Sequence, residues 1–207
     1  MARGRPRSFD RDAALARAME VFWAKGYEAT QLADLMAAIG INPPSFYAAF
    51  GSKEALYREA VDLYVCTAGA ASMQVLAGRA NVREAIHGML LASLDVALAS
   101  PSGGGCMVSL GMFNCQTQNV HLRDHMRELR RSTVRLIRDR LARGIADGQL
   151  TSDTDAERLA TYFSTIMQGI SFQAQDGAPR ETLLGLVETS MKILDDARAR
   201  FRPLSQS

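Results

Sequence analysis

The sequence has few cysteines, no long hydrophobic run and little net charge. Its three cysteines are Cys66, Cys106 and Cys115, an odd number at spacings that match no zinc-binding pattern, so we expect free thiols in a reducing compartment. No apolar run approaches the roughly 20 residues that a membrane-spanning helix needs. The basic N-terminus MARGRPRSFD is not followed by the apolar segment of a secretory signal. Together these absences predict a cytoplasmic protein with no membrane partner.

Sequence motifs of the common enzyme classes are also missing. The chain has no G-x-S-x-G elbow, no HExxH pair, no glycine-rich phosphate loop and no ordered group of carboxylates. A pairing of Cys106 with a histidine leaves a nucleophilic enzyme as an alternative, which measured turnover would support. His121 and His125 have the i, i+4 spacing of metal ligands, but no third ligand is close in sequence, so we interpret them as a solvated pair. We predict neither an enzyme nor a metal or cofactor site.

Helical periodicity dominates what the sequence does contain. Hydrophobic residues make up 47% of the chain and charged residues 22%, a balance typical of globular proteins. Apolar residues recur at helical spacing, and no strand-like alternation is bounded by turn residues. We therefore predict an all-α protein of about nine helices, over residues 10–25, 30–39, 42–50, 52–77, 81–99, 106–118, 121–146, 153–174 and 179–200.

The three short helices at the N-terminus have clear start and stop signals. We expect Gly26 to end the first helix and Thr30 to cap the second. Gly40 provides the next turn, and Asn42 caps the third helix with Pro43 in its first position. Two helices joined by a glycine-containing turn suggest a helix-turn-helix, although such corners also occur as plain structural elements of helical proteins.

The stretch AMEVFWAKGYEATQLADLMAAIGINPPSFYAAFGSKEALY combines many residues with different physical roles in one order. These residues are Phe22, Lys25-Gly26-Tyr27, Thr30, Leu35, Gly40-Ile41, Ser45, Tyr47, Phe50 and Ser52-Lys53-Glu54-Ala55-Leu56. Through them, residues 8–60 resemble the DNA-binding head of the TetR family of transcriptional regulators. The resemblance implies a three-helix helix-turn-helix head over residues 1–52. It also implies a helical-bundle body over residues 53–207 that binds a ligand and dimerises.

The predicted third helix has an inner and an outer face. Phe46 and Phe50 lie i, i+4 and should pack inward against the other two helices of the head. In a helix-turn-helix, the start of the second helix meets the base edges of DNA. The side chains left on the outer faces are Pro44, Ser45, Tyr47 and Ala48.

Direct reading of bases should be limited on this helix. It has no Arg, Lys, Gln or His between residues 43 and 50. Hydrogen bonds to bases would come from Asn42 and Ser45, and apolar contacts to thymine methyl groups from Pro44 or Ala48. We therefore expect much of the sequence specificity to come from Gln31, from the N-terminal arm and from DNA shape.

Several residues of the head are suited to the sugar-phosphate backbone. The hydroxyl of Tyr47 and the ammonium group of Lys53 can each bind a phosphate, and the resemblance implies both roles. The hydroxyl of Thr30 and the N-terminus of the second helix could bind another phosphate. The arginines of an extended N-terminal arm could enter the adjacent minor groove, and these are Arg3, Arg5 and Arg7.

Methionine and aromatic residues are spread over the helices of the body. Methionine adapts to irregular shapes and is favoured at permissive binding surfaces, although such residues also fill ordinary cores. The resemblance implies a cavity for a small apolar or aromatic effector. The candidate lining residues are Met73, Met89, Cys106, Met107, Phe113, Met126, Tyr162, Phe163 and Met167.

Cys106 follows three glycines and begins a predicted helix, a position that lowers the pKa of a thiol. The segment Gly-Gly-Gly-Cys-Met-Val-Ser resembles one branch of the family that includes regulators responding to reactive electrophiles. Two interpretations therefore stay open for Cys106, a redox or electrophile sensor and a small apolar core residue.

The last two long helices contain more apolar surface than one buried stripe requires. The resemblance implies that they pair with a second copy of the chain in a four-helix bundle. A dimer also suits a two-fold operator, because two heads then read half-sites about one helical turn apart. The candidate interface residues are Tyr162, Ile166, Ile170, Leu183, Leu186, Val187 and Met191.

The function predicted from the sequence is a ligand-responsive DNA-binding regulator. Repression is the usual mode of the family that it resembles, so we expect a homodimeric repressor that binds a palindromic double-stranded DNA operator and is released by an apolar, aromatic or electrophilic effector. A helical ligand carrier whose head has lost DNA binding is the alternative, and a mobility-shift assay distinguishes the two. Arginines between residues 120 and 145 form a basic face that we expect to point to water or to an acidic partner.

Overall fold

The computed structural model describes residues 10–100 and 105–199, with side chains to residue 196, and these residues form helices and no strand. The all-α prediction is confirmed. A short 3₁₀ turn, Thr117–Asn119, lies directly before the longest helix. The α-helices of the described residues are α1 (Arg11–Ala29), α2 (Leu32–Ile39), α3 (Pro43–Phe50), α4 (Lys53–Cys66), α5 (Ala70–Gly78), α6 (Val82–Leu98), α7 (Met107–Leu110), α8 (Val120–Ala146), α9 (Ala156–Gln175) and α10 (Arg180–Ala199).

Polar side chains explain where several helices begin. The carboxylate of Asp10 accepts hydrogen bonds from the backbone N–H groups of residues 12 and 13, at 3.0 and 3.2 Å. The side-chain oxygens of Asn42 and Ser52 each accept from a backbone N–H group three residues later, at 3.0 Å. Every such bond satisfies an N–H group that has no partner inside its own helix. Asn42 therefore caps α3 as predicted.

The predicted helix over residues 52–77 is two helices, because the chain turns at Gly69. The backbone N–H groups of Thr67 and Gly69 both donate to the carbonyl oxygen of Tyr64, at 3.2 and 2.8 Å. Gly69 lies so close to the Tyr64 ring that a Cβ atom at this position would come within 2.7 Å of the ring carbon Cε1. A residue without a Cβ atom is needed at this approach, and the turn separates α4 from α5.

The predicted helix over residues 106–118 is reduced to the single turn α7. Gly111 has extended backbone angles, and Met112 has a positive φ of 59°, so neither residue continues the helix. The guanidinium group of Arg130 on α8 binds the carbonyl oxygens of Val108 and Gly111, at 2.9 and 3.0 Å. This tertiary contact satisfies carbonyl groups that a longer helix would have used itself.

Buried apolar side chains form two clusters. One joins α1–α4 with α7 and the start of α8, and it includes Phe22, Phe46 and Tyr57. The other joins α5, α6 and α8–α10, and it includes Met89 and Phe163. Because α4 belongs to the first cluster, the packing of the head continues past residue 52, and the boundary between residues 52 and 53 stays a prediction.

One stretch, Lys53–Gly78, has the length and apolar composition that a membrane-crossing helix would need. In the structure, however, it consists of α4 and α5, with a turn at residues 67–69 between them. Several of its apolar side chains that are not in the core, among them Val65 and Met73, line an internal cavity described below. The turn therefore divides the stretch into helices of 14 and 9 residues, each shorter than the roughly 20 residues that a membrane-spanning helix needs.

Replacing Gly40 by alanine should lower the free energy of unfolding by about 1 kcal/mol, because a residue with a Cβ atom is disfavoured in the left-handed region. Gly40 ends α2 with φ 78° and ψ 37°, and no heavy atom lies within 4 Å of the added Cβ, so the change tests backbone strain alone. Urea denaturation at a fixed protein concentration measures the effect.

Gly78→Ala is the matched control, because its Cβ atom also meets nothing within 4 Å but its backbone is helical. We expect this change to leave stability unaltered or to raise it by up to about 1 kcal/mol. Equal losses in both variants would contradict the assigned conformation of Gly40.

Candidate DNA-binding surface and internal cavities

The α2–α3 unit has the geometry of a helix-turn-helix with a buried inner face. Gly40 turns the chain after α2, and Asn42 caps α3 two residues later. Phe46 and Phe50 are buried in the same cluster as Phe22 of α1, as the spacing predicted. The inner face therefore fixes which side of α3 points outward.

The outer face of α3 presents short polar and apolar groups together with one aromatic ring. Asn42, Pro44 and Ala48 are exposed, Ser45 is half-buried, and Tyr47 is 51% exposed. The Tyr47 ring stands edge-on to the buried Phe46 ring, with centroids 5.4 Å apart. The structure thus places these predicted DNA contacts on one accessible surface, and their contact with DNA stays a prediction.

Lys53, at the start of α4, lies over the ring of Tyr27. Its ammonium nitrogen is 4.2 Å from the ring centroid, within the range of a cation–π contact. Burial lowers the pKa of Lys53, and the charge of Glu28 opposes this shift. The contact holds the Lys53 side chain beside the aromatic residues of the head, and the lysine is half-buried rather than free in solution.

The predicted role of Thr30 needs correction. Thr30 is fully buried, and its hydroxyl donates to the carbonyl oxygen of Gly26 at 2.6 Å, so this hydroxyl faces the interior. The residue that caps α2 is Gln31, which is exposed. Its backbone N–H donates to the carboxylate of Asp34 at 2.9 Å, and Lys25 also binds that carboxylate at 2.8 Å. The hydrogen bond from Lys25 is the main reason that the pKa of Asp34 is lowered.

Arg11 fixes the end of α3 and was not predicted as a functional residue. Its guanidinium group binds the carboxylate of Glu59 on α4 at 2.8 and 2.9 Å, and it donates to the carbonyl oxygen of Ala49 at 3.4 Å. The guanidinium carbon also lies 4.9 Å from the centroid of the Phe50 ring. Arg11 therefore ties α1, α3 and α4 together. The sequence gives no signal of this contact, because the paired charges are 48 residues apart.

The predicted N-terminal arm lies outside the described residues. Arg3, Arg5 and Arg7 belong to residues 1–9, so their minor-groove role stays a prediction.

Hydrogen bonds join the head to the segment 105–121 of the body. The indole N–H of Trp23 on α1 donates to the carbonyl oxygen of Gly105 at 2.8 Å. The carboxylate of Glu28 accepts from the backbone N–H of Gln116 and from the side chain of Asn119, both at 2.9 Å. His121 lies 2.8 Å from the carboxylate of Glu54, so this histidine contacts the head rather than water alone. A movement of segment 105–121 would act directly on α1 and α4.

Two cavities lie on either side of this segment. The body cavity, of about 450 Å³, is lined by residues of α4, α5, α7, α8 and α9, and it is partly open to solvent, because Val65 and Leu136 in its lining are exposed. The junction cavity, of about 410 Å³, lies between the head, the segment 105–114 and α9. Cys106 lines both cavities, and its sulfur is 3.2 Å from the hydroxyl oxygen of Tyr64.

The structure separates the predicted ligand residues into two groups. Met73 and Met167 line the body cavity, Met107 and Phe113 line the junction cavity, and Cys106 lines both. The others line neither cavity and need correction. Met89, Met126 and Phe163 are fully buried in the two hydrophobic clusters, and Tyr162 packs edge-on against Phe163 at 5.2 Å between ring centroids.

The predicted dimer-interface residues also need correction in part. Ile170, Leu183, Val187 and Met191 are buried within the chain, because they pack in the cluster that joins α9 and α10 to α6. Sequence periodicity could not tell this internal face from an external one. The remaining three residues are half-buried and accessible to a partner, and these are Tyr162, Ile166 and Leu186.

A helix-turn-helix that packs on buried aromatic side chains and is joined to a helical body is the architecture of a DNA-binding regulator. Residues 14–60 match the family model described as "Bacterial regulatory proteins, tetR family", and residues 67–182 match "Tetracyclin repressor-like, C-terminal domain". The chain belongs to the TetR family of transcriptional regulators.

Known proteins similar to this chain are regulators of the same family. It is 33% identical to the HTH-type transcriptional repressor ComR of Escherichia coli (strain K12) over 93% of this chain and 92% of that protein. It is 29% identical to the repressor BdcR of the same organism, over 87% and 86%. A solved cysteine mutant of the TetR family regulator CifR, complexed with 26 bp of operator DNA, is 44% identical and covers 91% of this chain and 98% of its own, with a TM-score of 0.87. These relatives are not enzymes, in agreement with the prediction for this chain.

Breaking the Arg11–Glu59 ion pair should lower stability through a measurable coupling between the two residues. A double-mutant cycle with Arg11→Gln and Glu59→Gln should give a coupling free energy of about 0.5–1 kcal/mol, because the pair has good geometry but is partly exposed. Thermal denaturation at a fixed protein concentration measures all four proteins.

A cycle on the more exposed pair Arg127 and Asp124 of α8, separated by 3.0 Å, is the control and should give about 0.3 kcal/mol. A coupling at Arg11–Glu59 no larger than in this control would argue against Arg11 as the tie between α1, α3 and α4.

Proposed function

We propose that this chain is a dimeric repressor that binds a palindromic operator and is released by a small effector. The observation that carries the proposal is the outer face of α3, where Tyr47 is exposed while Phe46 and Phe50 hold the helix from behind. The names of ComR and BdcR as repressors, and the operator complex of CifR, support it. A TetR-family regulator of this kind works in the cytoplasm, where its DNA is.

The proposed DNA contacts follow from which side chains are accessible. Tyr47 would donate its hydroxyl to a phosphate, and Lys53 would bind a second phosphate as a charge. Asn42 uses its side-chain oxygen to cap α3, so only its amide N–H₂ group remains for an acceptor on a base. Ser45, Pro44 and Ala48 would contact base edges, and Gln31 would lie beside them.

The effector would act through the segment that separates the two cavities. Cavities of 410 and 450 Å³ are in the size range of small-molecule sites. Gly105 is hydrogen-bonded to Trp23, and Gln116 and Asn119 are hydrogen-bonded to Glu28. A ligand that shifts this segment would therefore turn the head. The thiol of Cys106 lies at both cavities, so an electrophilic effector could also react there.

Dimerisation would use the surface of α9 and α10 that the chain leaves uncovered. Ile193 on α10 is 40% exposed. Gly169 and Gly185 have no heavy atom within 4 Å of an added Cβ, so a second backbone can approach closely there. The accessible residues Tyr162, Ile166 and Leu186 from the sequence prediction would extend this surface.

Changing the proposed phosphate ligands should weaken operator binding in two distinct ways. Tyr47→Phe should lower the affinity about threefold to tenfold, because it removes one hydrogen bond to a charged group. Lys53→Gln should lower the affinity and reduce the slope of log affinity against log salt concentration by about one. Fluorescence anisotropy with the DNA upstream of the chain's own gene, at several salt concentrations, measures both effects.

Arg143→Gln, which removes the same charge from an exposed position on α8, is the control and should leave the slope unchanged. If Lys53→Gln and Arg143→Gln behave alike, Lys53 is not a phosphate ligand.

A charged side chain on the α9–α10 surface should separate the dimer. Gly185→Arg places a long cation where the two copies would meet, so sedimentation velocity should detect a monomer at micromolar concentrations. Gly78→Arg is the control, because this glycine also has open space around it and ends α5, which packs mainly on α6 and α8. If Gly185→Arg sediments as a dimer in the same way as Gly78→Arg, the interface lies elsewhere.

A further inference from the structure

The body cavity contains a single charged side chain. Of the described residues that line it, Arg130 is the only ionisable one besides Cys106 and Tyr64, and none is Asp or Glu. The segments that the structure does not describe, residues 1–9, 101–104 and 200–207, contain no Asp or Glu either. The rest of the lining consists of apolar residues such as Met73, Leu129 and Met167, with neutral Ser, Thr and Gln side chains.

Arg130 has donors left over after its structural contacts. Its Nη1 atom donates to the carbonyl oxygens of Val108 and Gly111, and the guanidinium carbon lies 4.6 Å from the centroid of the Phe113 ring. Within residues 10–100 and 105–196, no hydrogen bond or ion pair uses Nε or Nη2. Nε and Nη2 form one edge of the guanidinium group, and this edge can bind both oxygens of a carboxylate.

Several exposed arginines on the same helix have acidic partners, whereas Arg130 faces the cavity lining, which has none. Arg127 pairs with Asp124 at 3.0 Å, Arg135 with Glu128 at 2.7 Å, and Arg138 with Asp139 at 2.8 Å. These three pairs lie on the exposed surface of α8, so part of the predicted basic face is neutralised by acids of the same helix. Burial lowers the pKa of Arg130, and the charge of Arg127 lowers it further, so its surroundings favour a nearby anion.

We propose that the body cavity binds an apolar effector that carries one carboxylate group, held by Arg130. The proposal rests on the function proposed above and names the chemical class of its effector. The apolar walls would bury the hydrocarbon part of the ligand, and the free edge of the guanidinium would bind its carboxylate in a bidentate manner. The ligand would thus supply the counter-ion that the protein itself lacks.

The position of Arg130 also links such a ligand to the head. The same guanidinium holds the carbonyl groups of Val108 and Gly111, and Trp23 of α1 holds the carbonyl group of Gly105 a few residues earlier. A carboxylate that pulls on Arg130 therefore acts on the segment that the head is anchored to. Trp23 is the only tryptophan of the chain, so the protein's tryptophan fluorescence comes from the contact between α1 and this segment.

The experiment compares acids with uncharged amides of the same shape. The full-length protein is titrated with hexanoate and hexanamide, with decanoate and decanamide, and with 4-phenylbutyrate and 4-phenylbutanamide. Trp23 fluorescence and calorimetry measure binding without DNA. We expect at least one acid to bind about tenfold or more tightly than its amide, because a charge-assisted bidentate contact is lost in the amide. Arg130→Gln should abolish this preference, and Arg131→Gln, an exposed neighbour, should retain it.

Two outcomes would overturn the proposal. One is that no acid binds more tightly than its amide, a result that wild-type protein alone can give even if Arg130→Gln fails to fold. The other is that an acid binds only in Cys106→Ser, which would show that Cys106 occupies the guanidinium edge of Arg130 in the wild-type protein. Operator binding by the ligand-free protein is measured separately, so a loss of the proposed function would be distinguished from a failure of the carboxylate site.

Discussion

The burial of Phe46 and Phe50 is the interaction on which the DNA-binding surface depends. The helix α3 has only eight residues, too few to be stable in water by itself. Its inner aromatic side chains are buried with Phe22, and Arg11 ties its last turn to α4. Because Phe46 and Phe50 are buried, the orientation of α3 is fixed, and Tyr47 is held on its outer face.

Communication between the two parts of the chain depends on a few hydrogen bonds to one segment. Residues 105–121 form little regular structure, so their position is set by Trp23, Glu28, Glu54 and Arg130 rather than by a helix of their own. A segment held by individual side chains can be displaced by a ligand at lower cost than a packed helix. Both cavities touch this segment, which makes it the natural point of control.

Most of the fold could be predicted from the sequence, because periodicity, caps and glycine turns are local signals. The helices of the head, the cap at Asn42 and the inward turn of Phe46 and Phe50 all follow from spacing. The break at Gly69 and the shortening of α7 do not follow from these signals. The first depends on the close approach of Gly69 to the Tyr64 ring, and the second on Arg130, which lies 19 and 22 residues from the carbonyl groups that it binds.

Only part of the site could be predicted, because burial depends on neighbours that the sequence does not reveal. The exposure of Tyr47 follows from the helix pattern. The predicted exposure of the Thr30 hydroxyl was wrong, because this hydroxyl donates to the carbonyl oxygen of Gly26, four residues earlier. Met89 and Phe163 have the same chemical character as Met73 and Met167, yet the first two fill the core and the last two line a cavity. Arg11 and Arg130 were missed as key residues because their partners are carbonyl groups and a distant carboxylate.

In the proposed complex the outer face of α3 meets DNA, whereas the body does not. Site-specific photo-crosslinking tests it most directly, with a photoreactive phenylalanine analogue placed at Tyr47 and, as a comparison, at the equally exposed Phe113. We expect operator-dependent crosslinks from position 47 that excess unlabelled operator removes, and none from position 113. Crosslinks from position 113 without any from position 47, in protein that still binds the operator, would contradict it.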